Sequence, residues 1–497
     1  MFLEGGPSHR FLRSYVDGLK KAVSAAASAD GHFPIFRFRQ TSLFRKEFYM
    51  PAFLRQLKTQ MIYLVVWCLL PFSLLFFTLN FLLFHLASLR RAEVLILPEK
   101  LNFGGTVCVP DYARHRFSGQ HLVFVTFREP THNPYMPVIW HDIKDVEYIN
   151  LRRFVLDFYF RGRRAVIPHR RAHDPAARWI LVHLARWLGK DPVLLTYYKI
   201  YTGFRPHEDY DKDLEAMLAR NPRDPSAYMW RINLRYGMYF HLQREVPLKQ
   251  PSLPQELCAK VERALARVRG VRAEVRLCGF YIKKRTIDGP DGTSHFLDGS
   301  PFEAYLPAIR FLVSRGYQVL LTGDQPMSRQ VAEDFDGMVV DGETLGINPY
   351  LHSIYTALHT DIFVGDIGGG TLFAGLVTDR QKLGLNAYLF YSAFNNFWIY
   401  YKHAYDRDGI HLSFSDITTG KYAFSGAPDG FTVESNSENE MLEAVRCYVE
   451  EMENPGSSEI DNTLEDMWPS YSTFKLANCH ISPAYVRDHY HKLSFPE

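Results

Sequence analysis

The sequence predicts an α/β protein with two lobes of parallel β-sheet, a helical connector between the lobes and an N-terminal membrane segment. Three observations support this fold class. Short apolar runs alternate with helical patterns in two separate stretches, which is typical of parallel sheets with right-handed crossovers. The stretch between them carries helical patterns only. Near the N-terminus, Met61 to Phe84 is an apolar run without a charged residue.

Size and composition set the class of protein. At about 100–200 residues per domain, 497 residues predict two or three domains. The net charge of +3 gives no global positive field and, with no nucleic-acid-binding motif, predicts no nucleic-acid partner. The six cysteines lack a CxxC pair. We therefore expect no disulfide framework and no structural zinc site, which fits a reducing compartment.

The apolar run is long enough to cross a membrane, because about 20 residues span the hydrocarbon core. Basic residues flank it on both sides, so the charges predict no clear orientation. Pro71 stands in the middle, where proline removes a helix hydrogen bond. Two interpretations stay open: a helix–break–helix hairpin that enters and leaves by the cytoplasmic face, and one kinked spanning helix. The first sixty residues hold ten Lys and Arg against four Asp and Glu, and could lie on anionic headgroups.

The predicted domains follow from these patterns. They are a basic juxtamembrane arm (1–60), a membrane segment (61–88), an N-terminal α/β lobe (92–200), a helical connector (201–271), a C-terminal α/β lobe (272–453) and a C-terminal tail (454–497). By analogy with two-lobed proteins, the tail is expected to cross back to the first lobe.

The first lobe is predicted from three strands and one helix. The strands are Ala92–Pro98, a run ending at Phe127, and Arg152–Phe160, and the helix is Pro175–Leu188. In the connector, amphipathic patterns predict helices at Asp211–Ala219, Ser226–Tyr236 and Pro254–Val268.

The second lobe is predicted from five strands and five helices. The strands are Ala273–Lys284, Tyr317–Asp324, Gly337–Val340, Asp361–Asp366 and Leu385–Phe390. The helices are Phe302–Gly316, Ser328–Phe335, Asn348–His359, Gly369–Val377 and Glu434–Asn454. Because ligands of parallel sheets bind beyond the carboxyl ends of the strands, the residues that follow these strands are the candidate site.

A glycine turn after the fourth of these strands is the strongest candidate. It contains Asp366, Gly368, Gly369, Gly370 and Thr371. Glycines let the backbone approach a phosphate, and the helix that follows offers free N–H groups and a partial positive charge. Thr371 could cap the helix or bond a phosphate oxygen. The spacing matches neither the P-loop nor the dinucleotide fingerprint.

Two further turns belong to the same predicted edge. Lys283, Lys284 and Arg285 follow the first strand, where cations would neutralise a diphosphate. Thr322, Gly323 and Asp324 follow the second strand and could bond a ribose hydroxyl; a plain turn is the alternative.

The first lobe supplies a second part of the candidate site. Its first strand is followed by a glycine-containing loop with Asn102, Gly104, Gly105 and Thr106. If a substrate hydroxyl reacts there, a nearby group must take its proton. The first candidate is Asp111, and His115 and His132 are weaker ones.

The stretch from Glu274 to Tyr401 resembles bacterial glycosyltransferases of the GT-B fold, distant relatives of heptosyltransferases from surface-polysaccharide clusters. The similarity lies in the order of the pieces: a strand with a cationic turn, the helix–strand unit that ends at Asp324, and a strand followed by a Gly/Thr turn. The loop Asn102–Asp111 is similar to the group's first glycine loop. There are two departures. Tyr281-Ile-Lys replaces the usual His/Tyr-Val-Arg, and Asp366-Ile-Gly-Gly-Gly-Thr replaces Gly-Thr-x-Ser-Gly.

The resemblance implies two Rossmann-like lobes, a nucleotide-sugar donor and no essential metal or other cofactor. The expected function is transfer of a sugar to a lipid-linked or surface-polysaccharide acceptor. It would take place at the cytoplasmic membrane, with the soluble lobes facing the cytoplasm and membrane lipid as a partner. One alternative is a catalytically degenerate scaffold in a membrane polysaccharide-synthesis complex. Another is a nucleotide-sugar epimerase, against which the membrane segment argues, because epimerases need no membrane anchor.

Overall fold

The structure is a computed structural model that describes eleven stretches of the chain. They are residues 52–98, 105–127, 133–151, 166–195, 248–269, 275–283, 299–323, 333–387, 396–412, 432–457 and 478–489. Two compact units are present, Met1–Ile62 and Tyr63–Glu497. The second unit contains all the β-strands described below.

The first sheet is a four-stranded parallel sheet. Its strands are β1 (Val94–Pro98), β2 (Leu122–Phe127), β3 (Val146–Leu151) and β4 (Val193–Leu195). Their spatial order is β3-β2-β1-β4, and every pairing is parallel. The predicted strand Arg152–Phe160 lies outside the described residues. The sequence missed β3, in which Glu147 and Asn150 interrupt the apolar pattern.

The second sheet has seven strands. They are β5 (Arg276–Ile282), β6 (Tyr317–Gly323), β7 (Val339–Val340), β8 (Ile362–Asp366), β9 (Lys382–Ala387), β10 (Phe397–Tyr401) and β13 (His480–Ile481). Their order is β13-β10-β9-β8-β5-β6-β7, and all pairings are parallel. Two short antiparallel strands, β11 (His403–Tyr405) and β12 (Thr432–Glu434), form a separate ribbon.

Both sheets have doubly wound topology. In each, the first strand lies centrally, the next two extend to one side and the fourth pairs on the other side. The direction of winding in the second sheet therefore reverses between β5 and β8. Open α/β sheets bind ligands at such a switch point, beyond the carboxyl ends of the strands.

Nine α-helices connect and cover these strands within the described stretches. They are α1 (Ala52–Arg91), α2 (Gly105–Arg116), α3 (Val166–Trp187), α4 (Gln255–Arg269), α5 (Leu306–Ser314), α6 (Pro349–His359), α7 (Gly369–Val377), α8 (Glu438–Glu453) and α9 (Pro483–His489). Short 3₁₀ helices lie at Met136–Trp140 and Phe302–Tyr305. The predicted connector helix Pro254–Val268 is present as α4. The other two connector helices lie outside the described residues.

The membrane segment is part of α1, which continues through Pro71 without a break. This result contradicts the hairpin interpretation. Residues Leu70–Arg91 are long and apolar enough to cross a membrane by length and composition. Even so, one stripe of α1 packs against the first sheet and α3. Phe77 and Phe81 are buried with Leu95, Val123 and other core residues, and the Phe77 ring lies 5.9 Å from the ring of His173.

The C-terminal end of α1 is also tied to the first sheet by polar contacts. The Ser88 hydroxyl donates to the Glu147 carboxylate of β3. Arg91 forms an ion pair with the same carboxylate at 3.1 Å. The opposite stripe of the helix exposes large apolar side chains to solvent: Phe72, Leu75, Leu79, Leu83 and Phe84, each 49–75% exposed.

The described part of the tail differs from its expected path. Instead of crossing to the first sheet, residues 478–489 form β13 at the edge of the second sheet and α9 beside it. β13 pairs with β10 through Trp398 and Ile399, and the ring of Tyr485 in α9 lies 5.1 Å from that of Tyr400. The tail therefore completes the second sheet, at least over these residues.

Candidate functional site

The switch point of the second sheet brings two predicted turns together. Lys283 follows β5, and Gly368, Gly369 and Gly370 follow β8, the neighbouring strand. The Lys283 side chain reaches the glycine turn: a Cβ atom added to Gly368 would lie 3.5 Å from Lys283 Cδ. The structure thus places a cation beside the N-terminus of α7, as the sequence predicted for these four residues.

A buried polar network holds this edge in place, with Asp366 at its centre. The carboxylate is 1% exposed. It accepts hydrogen bonds from the Tyr305 hydroxyl at 2.7 Å, from Asn386 Nδ2 at 2.8 Å and from the Lys283 backbone N–H at 2.8 Å. Gly299 lies so close that a Cβ there would stand 2.4 Å from Asp366 Oδ2. Asp366 is therefore a structural centre of the edge and does not face a ligand directly, contrary to its predicted role.

The network reaches the end of the next strand through two asparagines. Asn386 and Asn436 exchange hydrogen bonds between side-chain oxygen and backbone N–H, both at 2.8 Å. Asn436 Nδ2 also donates to the Tyr401 carbonyl at the end of β10, 2.7 Å away. Asn386 has a positive φ of 52°, which asparagine tolerates better than most residues. Three strand ends are thereby cross-linked by polar side chains that sequence reasoning missed.

Burial controls the charge of this network. It raises the pKa of the Asp366 carboxyl, although hydrogen bonds from Asn386, the Lys283 N–H and Tyr305 oppose that shift. Burial and the adjacent Asp366 carboxylate also raise the pKa of Tyr305 well above its ordinary value. The Tyr305 hydroxyl therefore stays protonated and acts as a donor to Asp366.

Thr371 serves the glycine turn itself. Its hydroxyl donates to the Asp366 carbonyl at 2.6 Å and accepts the Gly368 N–H at 2.8 Å. The side chain is fully buried, so Thr371 fulfils the predicted capping role and is not directed at a phosphate. The N–H groups of Gly369 and Gly370 lie in the first turn of α7, where they have no acceptor within the helix.

Close approach explains three of the glycines at this edge. A Cβ on Gly370 would stand 2.4 Å from Cε2 of the Tyr281 ring, and one on Gly365 would stand 2.6 Å from the Tyr281 carbonyl oxygen. Gly323, with φ of 114°, would place a Cβ 2.0 Å from the Ile282 carbonyl oxygen. Thr322 pairs with Tyr281 in the sheet. Thr322 and Gly323 thus lie at the same edge, with β5 between their strand and the strand that leads into the glycine turn.

The first-sheet candidates have a different outcome. Asp111 lies in α2 and is 4% exposed. Its carboxylate is 3.9 Å from Arg114 Nη1 and 3.5 Å from His115 Nε2. Arg114 in turn donates to the Lys249 carbonyl at 2.9 Å. Asp111 is therefore part of a buried ionic cluster with His115, not an exposed base, which corrects the sequence expectation.

Several candidates cannot be placed. Asn102, Gly104, His132, Arg285 and Asp324 lie outside the described residues. Gly105 and Thr106 form the first turn of α2. That helix contacts α7 of the second sheet, and the Asn133 amide donates to the Tyr350 carbonyl at 2.8 Å. The two glycine-loop helices are therefore neighbours.

A group that could hold a metal ion lies further along the carboxyl edge. Within the described stretches it consists of His403, Glu440 and His489. No sequence pattern indicated this group, because its members come from three segments 37 and 49 residues apart.

The described fold is mixed α/β with parallel, doubly wound sheets, a class to which many nucleotide-binding proteins belong. No protein-family model and no curated protein matches the chain. Among solved structures, it is similar to a glycosyl transferase family 9 protein from Veillonella parvula DSM 2008. The identity is 11%, the match covers 63% of this chain and 87% of that one, and the TM-score is 0.37. It is also similar to the wall teichoic acid polymerase TagF, at 9% identity, 66% and 79% coverage and a TM-score of 0.25. Values this low assign neither a family nor a substrate to the chain.

Proposed function

We propose that this protein is a membrane-associated bacterial glycosyltransferase that moves a sugar from a nucleotide-sugar donor to a lipid-linked or surface-polysaccharide acceptor. One observation carries the proposal. At the switch point of the second sheet, Lys283 lies against the glycine turn that begins α7. A cation, free helix N–H groups and close backbone approach together suit a diphosphate.

The donor would lie with its diphosphate at this turn. During transfer the bond between the sugar and the diphosphate breaks, the diphosphate leaves with the electron pair, and the acceptor oxygen bonds the sugar. Lys283 and the N–H groups of Gly369 and Gly370 would stabilise the departing charge. Arg285, Thr322, Gly323 and Asp324 remain proposed donor contacts. Because Lys283, Arg285 and the N–H groups at the start of α7 supply positive charge, the proposed donor site needs no metal ion.

The acceptor would lie on the side of the first sheet, against the loop with Asn102, Gly104, Gly105 and Thr106. The contact between α2 and α7 supports this placement, since it brings the two glycine loops to neighbouring helices. Asp111 is not proposed as the base, because it is buried with Arg114 and His115. His132 remains the candidate for taking the acceptor proton.

Membrane attachment is proposed through the exposed stripe of α1 at the cytoplasmic membrane, with the sheets in the cytoplasm. Since the other stripe packs on the first sheet, a bilayer crossing at residues 73–89 would bring sheet backbone to the depth of the hydrocarbon, where unpaired backbone groups are costly. A helix lying in the membrane surface avoids this cost. Exposed Arg90 and Arg91 follow the stripe and suit anionic headgroups.

A nucleotide screen tests the proposed function. Thermal shift would be measured for the full chain in detergent with UDP, GDP, ADP, CMP and their sugar conjugates. Saturable stabilisation by one nucleoside diphosphate, followed by transfer of its radiolabelled sugar to membrane extract, is the expected result. Stabilisation without transfer would indicate that the protein binds a nucleotide but is not a glycosyltransferase. No stabilisation by any nucleotide would contradict the proposal.

The second candidate is a catalytically degenerate scaffold in a membrane polysaccharide-synthesis complex. The observation that favours it is the burial of several polar residues that the sequence predicted to contact substrates. Asp366 and Thr371 are buried within the fold, and Asp111 is held in an ionic cluster. A folded protein that binds no nucleotide but co-purifies with other polysaccharide-synthesis proteins would support this alternative.

A further inference from the structure

Three side chains converge on one point beyond the carboxyl end of β10. His403 begins β11, Glu440 lies in the first turn of α8, and His489 ends α9. Both imidazoles direct Nε2 at the same carboxylate oxygen. The distances to Glu440 Oε1 are 2.8 Å from His403 and 3.1 Å from His489. The ligand atoms all lie within 4.8 Å of one another.

The cluster is enclosed. His403 is 9% exposed and His489 8% exposed, and Glu440 is partly buried behind them. The Nδ1 atoms of both histidines are buried without a hydrogen-bond partner in the described structure. The aromatic ring of His411 lies 5.8 Å from that of His403, which places a third imidazole next to the group.

Without a metal ion, both Nε2 atoms would carry hydrogen and donate to the same carboxylate oxygen, which can accept both. The Tyr400 hydroxyl also lies 3.2 Å from Nε2 of His489. A cation at the point of convergence turns the three facing lone pairs into bonds. Glu440 Oε1, which both imidazoles face, supplies the carboxylate ligand atom.

We propose that His403, Glu440 and His489 form a binding site for a divalent transition metal ion, with Zn²⁺ as the best-suited ion. Two imidazoles and a carboxylate are a ligand set that Zn²⁺ uses, with bonds of about 2.0–2.2 Å. Tetrahedral bonds of that length separate ligand atoms by about 3.3 Å. The two observed N–O separations of 2.8 and 3.1 Å would open slightly to reach that value, and all three ligand atoms lie within 4.8 Å of one another.

The site goes beyond the proposed sugar transfer, whose donor contacts lie at β5 and β8. Its ligands come from the β11 ribbon, from α8 and from the tail helix α9. A bound ion would fasten the C-terminal residues 478–489 to the second sheet. Three protein ligands leave a fourth position, which water or His411 can fill.

The charge of the cluster fits this assignment. Neutral imidazoles contribute no charge and Glu440 contributes one negative charge, so a divalent ion would leave a single positive charge.

Metal titration of the full chain tests the site. The protein would first be treated with a chelator and then titrated with Zn²⁺ in competition with a chromogenic chelator, and separately with Co²⁺ by visible absorption. We expect one ion per chain and the strong absorption of tetrahedral Co²⁺. Loss of a group that only supports a metal ligand weakens metal binding about 10- to 100-fold. Because His403→Ala, His489→Ala and Glu440→Gln each remove a ligand itself, each should weaken Zn²⁺ binding by more than that.

The variants separate ligation from folding. In wild type, Glu440 Oε2 accepts a hydrogen bond from the Ser437 N–H, 2.8 Å away, at the N-terminus of α8. In Glu440→Gln, the amide oxygen can accept the same hydrogen bond. This variant should therefore stay folded by circular dichroism while losing the metal. His480→Ala, on β13 but outside the cluster, is the matched control and should bind like wild type. Absence of saturable binding by folded wild type, or wild-type affinity in all three ligand variants, would overturn the proposal.

Discussion

At the scale of the residue, Asp366 shows how a predicted ligand contact becomes part of the scaffold. Its position after a strand and before glycines suggested contact with a nucleotide. The structure instead directs three donors at its carboxylate. The sequence could not predict this role, because the partners Tyr305 and Asn386 lie 61 and 20 residues away. Lys283, in contrast, lies beside the glycine turn as expected.

Asp366→Asn should destabilise the protein by about 2 kcal/mol, the typical cost of leaving a buried group unpaired. The new amide N–H₂ group would face hydrogen-bond donors that the Asp366 carboxylate now accepts from, so those hydrogen bonds would be lost. Urea unfolding measures the change. Asp408→Asn is the control, since Asp408 is exposed and should unfold like wild type. Equal stability of both variants would show that the Asp366 carboxylate does not hold the edge together.

Lys382 predicts a pH dependence of stability. Its side chain is 1% exposed and donates to the Thr378 carbonyl at 2.8 Å. Burial lowers its pKa to about 7 from the ordinary 10.5. Between these two values the unfolded chain binds the proton more tightly than the folded protein, so this residue makes stability rise with pH.

The comparison of wild type with Lys382→Met isolates that effect. From pH 7 to pH 10, wild type should gain stability relative to the variant by up to about 1.4 kcal/mol per pH unit. Chemical denaturation at four pH values gives the difference. Parallel stability curves for the two proteins would mean that Lys382 is charged in the folded state.

At the scale of the element, the glycine turn and α7 depend on close packing against Tyr281. Gly370→Ala places a Cβ 2.4 Å from the Tyr281 ring, whereas Gly368→Ala places one 3.5 Å from Lys283, at ordinary contact distance. Gly368 has an extended φ of −177° that alanine can adopt. Gly370→Ala should therefore lower stability by about 1–3 kcal/mol and weaken nucleotide binding.

Gly368→Ala is the matched control and should fold with wild-type stability. Thermal unfolding and nucleotide titration of the two variants side by side check the prediction. If Gly370→Ala is as stable as Gly368→Ala, the Tyr281 ring moves freely and does not define the turn.

The helix α1 predicts how the chain meets a membrane. Leu79→Gln combined with Leu83→Gln changes exposed positions only. At about 25 cal/mol per Å² of apolar surface, their loss should lower vesicle binding severalfold without changing thermal stability. Flotation with vesicles that contain anionic lipid measures binding. The control, Phe81→Leu, alters the buried stripe and should lower stability while keeping vesicle binding.

Many elements of the second sheet followed from the sequence, and others did not, for a physical reason. Apolar runs bounded by glycine or aspartate predicted β5, β6 and β8, because buried parallel strands are continuously apolar. β9 lies earlier than the predicted Leu385–Phe390, since Lys382 is buried in it and lysine obscures the pattern. β10 and β13 are short, and they are rich in aromatic or histidine residues. Their pairing depends on contacts across 82 residues, such as that of Asn396 with Asn478.

At the scale of the whole molecule, the doubly wound order brings the separate turns to one place. Alternating strands and helices predicted parallel sheets, but strand order decides which turns become neighbours. Because β8 pairs with β5, the turn after Ile282 and the turn after Asp366 meet. The sequence predicted that both turns lie at one edge, and the topology adds that they are adjacent at the switch point.

We propose that a nucleoside diphosphate binds at this switch point. The most direct measurement is calorimetric titration of wild type, Lys283→Ala and Lys260→Ala with the nucleoside diphosphate found in the screen. Lys260 is exposed on α4 and serves as the charge-matched control. We expect Lys283→Ala to weaken binding about tenfold or more, the loss of one charge-assisted hydrogen bond of about 1.5–3 kcal/mol, and Lys260→Ala to bind like wild type. Equal affinity in all three folded proteins would contradict the claim.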